Sequence, residues 1–191
     1  MRTKTQTKKV SIAKLANLQS NFKIYLDDSF QSYDRWSISE KQEYIRSILE
    51  GRAVTSIILA SIDSLCSSLK LMFGEDNEDY LFFKSLKDKG YEYVTIDGNN
   101  RSRCIADFLA GGFPLAEREY ETDGDYLSFF KAKKDNKYYS TLPADAKDFI
   151  DNISMNLLVV SQSDRIGLAD LFIAVNKGMN LNSQEKRNAI M

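Results

Sequence analysis

Nothing in this sequence narrows its fold as much as three strand-sized runs set among stretches of helical spacing. Val54-Thr-Ser-Ile-Ile-Leu-Ala60 is a near-continuous apolar run of the kind a buried strand carries. Tyr91-Glu-Tyr-Val-Thr-Ile-Asp97 is rich in aromatic and β-branched residues, which suit a pleated surface. Ile153-Ser-Met-Asn-Leu-Leu-Val-Val160 is the third. Between them, apolar residues recur at three- and four-residue intervals. Strands alternating with helices predict an α/β or α+β fold with a small mixed β-sheet. The absence of regular βαβ repeats argues against a Rossmann sheet or a TIM barrel. Neither a dinucleotide fingerprint nor a Walker A motif occurs.

The helices announce themselves by their ends. Residues 38–50 carry Ile38, Ile45, Ile48 and Leu49 at helical spacing, with a Ser37/Glu40 capping box in front and Gly51 behind. Residues 62–73 and 80–87 read as helical, with an exposed acidic loop, Glu75-Asp-Asn-Glu-Asp79, between them. From Asn99 the pattern is helical again, with Cys104, Ile105, Phe108 and Leu109 on one face and Gly111-Gly112 as the stop. Residues 124–151 are mixed and helical in part. Asp164 caps a helix whose buried face holds Ile166, Ala169, Phe172 and Ile173. Gly178 ends it, and Asn182-Ser-Gln-Glu185 opens another.

Composition removes whole classes of chemistry. The chain has 191 residues and no histidine, so Ser-His, Cys-His and His-metal mechanisms are excluded. Carboxylates, Lys, Arg, Tyr, hydroxyls and amides remain. Cys66 and Cys104 are too few for a zinc site or a disulfide framework, and they read as buried thiols in a reducing, cytoplasmic setting. No apolar run approaches a membrane span. Charge is nearly balanced, with 26 basic and 27 acidic residues, but unevenly placed. Residues 1–26 contain Arg2, Lys4, Lys8, Lys9, Lys14 and Lys23 and no acid. They are expected to form a basic arm ahead of a domain at 27–191, either solvated or contacting phosphate.

The chemically informative segment is Thr95-Ile-Asp-Gly-Asn-Asn-Arg-Ser-Arg103. A strand delivers an acid at its C-terminal end, a glycine follows, and polar residues open a helix. A helix N-terminus presents unpaired N–H groups and a positive dipole end, which suits phosphate. Gly98 lets a ligand approach the backbone. Arg101 and Arg103 add donors of fixed geometry. Asp97 can hold Mg²⁺ on a phosphate or act as a base. The same segment also reads as a tight turn with surface arginines. Trp36 suits either the core or stacking on a base. Asn180 and Asn182 suit caps, while Asn176 suits a helix face turned toward the Asp97 turn.

Three segments in order carry a resemblance. They are Ser47-Ile-Leu-Glu-Gly51, Ile96-Asp-Gly-Asn-Asn-Arg101, and Phe172 with Asn176, Gly178, Leu181, Glu185 and Arg187-Asn-Ala189. Together they resemble the ParB/sulfiredoxin-like superfamily, in the branch with an I-D-G-Q-Q-R signature, the N-terminal domain of GmrSD-type restriction enzymes. The resemblance covers residues 35–189. It implies an α+β fold, a small mixed β-sheet flanked by helices, that binds a nucleotide or DNA phosphate at the Asp-Gly turn. Asp97, Gly98 and Arg101 match the motif. Asn99 and Asn100 stand where glutamine is usual, which shortens the reach of each amide by roughly 1.3–1.5 Å.

What the resemblance implies for function is metal-dependent hydrolysis of a phosphodiester or an NTP in restriction, phage defence or DNA modification. In that reading Asp97 is metal ligand or base and Arg101 stabilises developing charge. Gly98, Asn99, Asn100, Ser102, Arg103 and Asn176 join Arg101 in holding the phosphate. The implied cofactors are Mg²⁺ or Mn²⁺ and an NTP, and the implied partners are DNA and nucleotide. The Asn99-Asn100 departure favours an alternative, a non-catalytic DNA-binding or regulatory module of the same fold. Phosphoryl transfer to DNA or a small molecule is a third reading. Restriction members of the branch continue past the R-N-A element, so a further C-terminal domain or partner subunit is expected unless the domain stands alone.

Overall fold

In chain order the elements are β1 (Lys4–Ser11), α1 (Ile12–Ser20), β2 (Ile24–Tyr25), α2 (Ile38–Leu49), β3 (Ile57–Ser61), α3 (Ile62–Phe73), α4 (Glu78–Asp88) and β4 (Tyr93–Asp97). They continue with α5 (Asn99–Leu109), β5 (Arg118–Glu121), β6 (Phe129–Ala132), α6 (Ala144–Asn152), β7 (Ser154–Gln162) and α7 (Arg165–Val175). A single 3-10 turn, Tyr139–Thr141, precedes α6. The structure is a computed structural model and describes residues 1–26, 36–52, 57–121 and 129–175.

The main sheet has five strands in the order β1-β7-β3-β4-β2. It is mixed. β1/β7 and β3/β4 are antiparallel, while β3/β7 and β2/β4 are parallel. β5 and β6 form a separate antiparallel pair. The fold is therefore α+β, a small mixed sheet flanked by helices.

Both faces of the sheet centre are covered, and the alternation along β3 records it. Ile57 and Leu59 join one core with Ile12 and Leu15 of α1, Ile45 and Leu49 of α2, and Ile105 and Phe108 of α5. Ile58 and Ala60 join the other with Leu65 and Leu69 of α3, Phe83 of α4 and Phe172 of α7. A strand buried on both sides needs the unbroken apolar run seen at Ile57–Ala60. Cys66 and Cys104 are buried thiols, one in each core.

Residues 1–26 are not an arm. Ser11 caps α1 by accepting from Lys14 N–H at 3.2 Å, and Ile12, Leu15 and Ala16 are buried at i, i+3 and i+4. β1 pairs with β7 along its length, while its side chains from Lys4 to Lys9 stay exposed. Lys4, Lys8 and Lys9 are thus the decoration of a sheet edge, where lysines discourage pairing with another strand. Thr3 Oγ1 lies 2.9 Å from Ser163 Oγ, and the Met1 ammonium lies 2.7 Å from Asp164 Oδ2.

The α2 capping box forms as the sequence predicts. Glu40 N–H donates to Ser37 Oγ at 3.3 Å and Ser37 N–H donates to Glu40 Oε2 at 2.7 Å. The acidic run at 75–79 is split, because Asn77 caps α4 and places Glu78 and Asp79 in its first turn. Asp164 does begin α7, accepting from Gly167 N–H at 2.7 Å. Its buried face is Leu168, Ala169 and Phe172, whereas Ile166 is exposed. The second half of 124–151 contains α6 as expected, but β6 precedes it. Gly178 and the helix read at Asn182 lie outside the described residues.

Candidate functional site

β4 carries Thr95 and Asp97 into the middle of the molecule, and a register shift against β3 sets Asp97 opposite Ile58. Such irregularities re-aim a side chain at a strand end. The chain then turns at Gly98, which has φ +89° and ψ 20° and serves as the N-cap of α5. A Cβ there would lie 2.9 Å from Ile57 Cγ1 and 3.1 Å from Ile57 Cα. Gly98 is therefore required by the left-handed backbone and by the contact with β3.

Asp97 is 5% exposed, and Arg101 Nη1 donates to its Oδ2 at 3.3 Å. The pair is at i, i+4, so the first turn of α5 folds the guanidinium back over the carboxylate that precedes the helix. The first N–H groups of a helix have no intrahelical acceptor, and a glycine N-cap offers them no side chain. A pinned guanidinium and open backbone donors thus share one end of α5.

The other residues read from the motif divide. Asn99 is buried, and its Oδ1 has no hydrogen-bond partner. Asn100 Oδ1 is likewise buried and unpartnered. Arg103 is half-buried on the same helix. Ser102 is fully buried, with its hydroxyl donating to the Asn99 carbonyl at 3.0 Å and lying 3.4 Å from Gln19 Oε1 of α1. That placement corrects its reading as a phosphate ligand: Ser102 packs α5 against α1. Asn176, Asn180 and Asn182 lie outside the described residues.

Helix α2 packs alongside α5. Cys104 Sγ approaches the Lys41 carbonyl at 3.7 Å, and Lys41 Nζ is 3.1 Å from Asp107, so the start of α2 lies beside the end of α5. One turn further along α2 is Tyr44, and one turn back along α5 is Arg101. Burial pushes the Tyr44 hydroxyl pKa far up, while the positive charge of Arg101 pulls the other way. The hydroxyl has no hydrogen-bond partner. Trp36 packs edge-on against the Tyr44 ring, with centroids 5.2 Å apart, and half-buries itself on the same core. Tyr44 was not legible as a site residue, because on its own helix it is one more amphipathic position.

A resident divalent cation does not fit these residues. Asp97 is the single carboxylate of the turn, and its Oδ2 already accepts from a guanidinium that would repel a metal. Among the described residues no three Asp, Glu or Cys side chains gather as a metal-binding group. A cleft of about 290 Å³ lined by Asp63, Lys87, Tyr91 and Glu92 lies at the other end of β4. Among the described residues no helix is long and apolar enough to cross a membrane. Compared with protein-family models, curated proteins and solved structures, the chain has no match.

Proposed function

We propose that this chain is a phosphate-binding domain of ParB/sulfiredoxin-like type that takes a nucleotide or the DNA backbone at the Asp97–Arg101 turn. The observation that carries the reading is Arg101, folded onto buried Asp97 at 3.3 Å beside the uncapped N–H groups of α5. A guanidinium fixed in this way meets an anion without losing much side-chain freedom. The helix end adds donors and a favourable dipole. Asp97 holds Arg101 in place. The carboxylate is so engaged that binding is better supported than metal-dependent hydrolysis. The setting implied by the resemblance is restriction, phage defence or DNA modification.

The test is a titration of wild type and Arg101→Ala with ATP and with a short DNA duplex, between about 50 and 200 mM salt. Binding that steepens with falling salt, and that Arg101→Ala weakens about tenfold or more, is the expected result. Absence of binding to either probe at about 50 mM salt refutes it. Product release with Mg²⁺ or Mn²⁺ that vanishes in Asp97→Ala replaces binding by hydrolysis.

A further inference from the structure

Buried polar atoms without partners are rare in folded proteins, and each one asks for an explanation. Among the described residues they are Tyr44 Oη, Glu50 Oε2, Thr95 Oγ1, Asn99 Oδ1 and Asn100 Oδ1. Glu50 is accounted for by Arg52 Nη2 at 2.6 Å. The remaining four belong to the turn, to the strand that feeds it, and to the helix packed alongside. They are contributed by α2, β4 and α5.

Tyr44 is the informative member, because it comes from a separate element. α2 and α5 are fastened at Lys41, Cys104 and Asp107, and Tyr44 lies one turn further along α2, where the charge of Arg101 acts on its hydroxyl. Trp36 braces the ring edge-on. The hydroxyl is thereby held in the interior with its hydrogen bond unmade. A phenol is a donor to an anion as well as an acceptor. Its neighbour Arg101 is the cation of the turn.

We propose that Tyr44 is a ligand-contacting residue of the same site, its hydroxyl donating to a phosphate oxygen held by Arg101. The inference rests on the phosphate-binding reading and extends that site from α5 to α2. The ligand class is a phosphate ester, with Arg101 and the α5 N–H groups on one side and the phenol on the other. An orphaned hydroxyl that waits for a ligand contributes nothing to the unliganded fold. A structural hydroxyl contributes stability whether or not ligand is present.

That difference makes Tyr44→Phe decisive, since it deletes one oxygen and keeps the ring against Trp36. Wild type, Tyr44→Phe and Arg101→Ala are titrated calorimetrically with ATP and with a short DNA duplex, and each is melted without either probe. The expected result is a Kd raised about tenfold in Tyr44→Phe with a melting temperature equal to or above that of wild type. A lowered melting temperature, whatever happens to Kd, gives the hydroxyl a structural role and overturns the proposal. If Arg101→Ala loses binding while Tyr44→Phe binds as wild type does, Tyr44 is overturned and the phosphate-binding reading stands. If wild type binds neither probe, both fall together.

Discussion

Replacing Gly98 by alanine tests the geometry of the turn without touching any charged group. Two penalties add. An L-residue in the left-handed region is disfavoured by about 1–2 kcal/mol, and Gly98 sits there at φ +89°. The new methyl would also lie 2.9 Å from Ile57 Cγ1 and 3.1 Å from Ile57 Cα. Ile57 is fully buried on a central strand paired on both sides, so neither its side chain nor its backbone has room to withdraw. Overpacking of this kind costs about 1–3 kcal/mol. The total is roughly 2–5 kcal/mol, against a domain stability of about 5–15 kcal/mol. In a chain of this size the melting temperature should fall by roughly 4–20 °C. Gly90→Ala is the matched control, because Gly90 has φ +90° and nothing within 4 Å of the added methyl. It should lose only the backbone term, about 1–2 kcal/mol. Urea unfolding followed by circular dichroism measures both, with equal m-values required for the comparison. If Gly98→Ala is no worse than Gly90→Ala, the close approach of the turn to β3 is refuted.

Three further outcomes follow from local geometry. Phe22 is 79% exposed at φ +54°, just past the end of α1, so Phe22→Gly should raise stability by about 1 kcal/mol in urea unfolding; a loss would show that the ring has a packing role. Ser37→Ala removes the α2 capping box and should cost about 1 kcal/mol by the same assay, and no change would mean that the box is made without benefit. Burial, together with donation to Asp151 Oδ1 at 2.8 Å, pushes the Tyr139 pKa from 10.0 up to about 12. The folded state therefore favours the neutral phenol: its contribution is intact below pH 10 and lost as pH rises through about 12. Urea midpoints compared across that window should fall less in Tyr139→Phe than in wild type, and identical falls would remove Tyr139 from the account.

The elements that sequence revealed are those whose cause is local. Ser37 and Glu40 satisfy each other within one turn, and the Ile57–Ala60 run is apolar because both of its faces are buried. β1 failed for the opposite reason. Lys4 to Lys9 are exposed on both faces, so no alternation marks them, and their strand identity comes from β7. α1 was within reach, since Ser11 followed by Ile12, Leu15 and Ala16 is a capped helical pattern. At the site, the Asp97–Arg101 pair was implicit in an i, i+4 spacing across a strand-to-helix turn. Ser102 was misassigned because its burial depends on α1, and Tyr44 was missed because α2 and α5 meet only in the tertiary structure.

The sheet order carries a kinetic consequence. β7 is inserted between β1 and β3, so the earliest of the five strands in this sheet is joined to it by the latest. During synthesis β1 has no partner in this sheet until β7 is made. The β1/β7 ladder closes a loop that contains most of the chain, and such non-local pairings are slow to form. A waiting strand of Lys-Thr-Gln-Thr-Lys-Lys composition is poorly suited to aggregation, unlike the Leu157–Val160 segment it will cover. Placing the polar strand early and the apolar strand late shortens the time for which the sticky edge stands exposed, and it makes the docking of β1 a natural final step of folding.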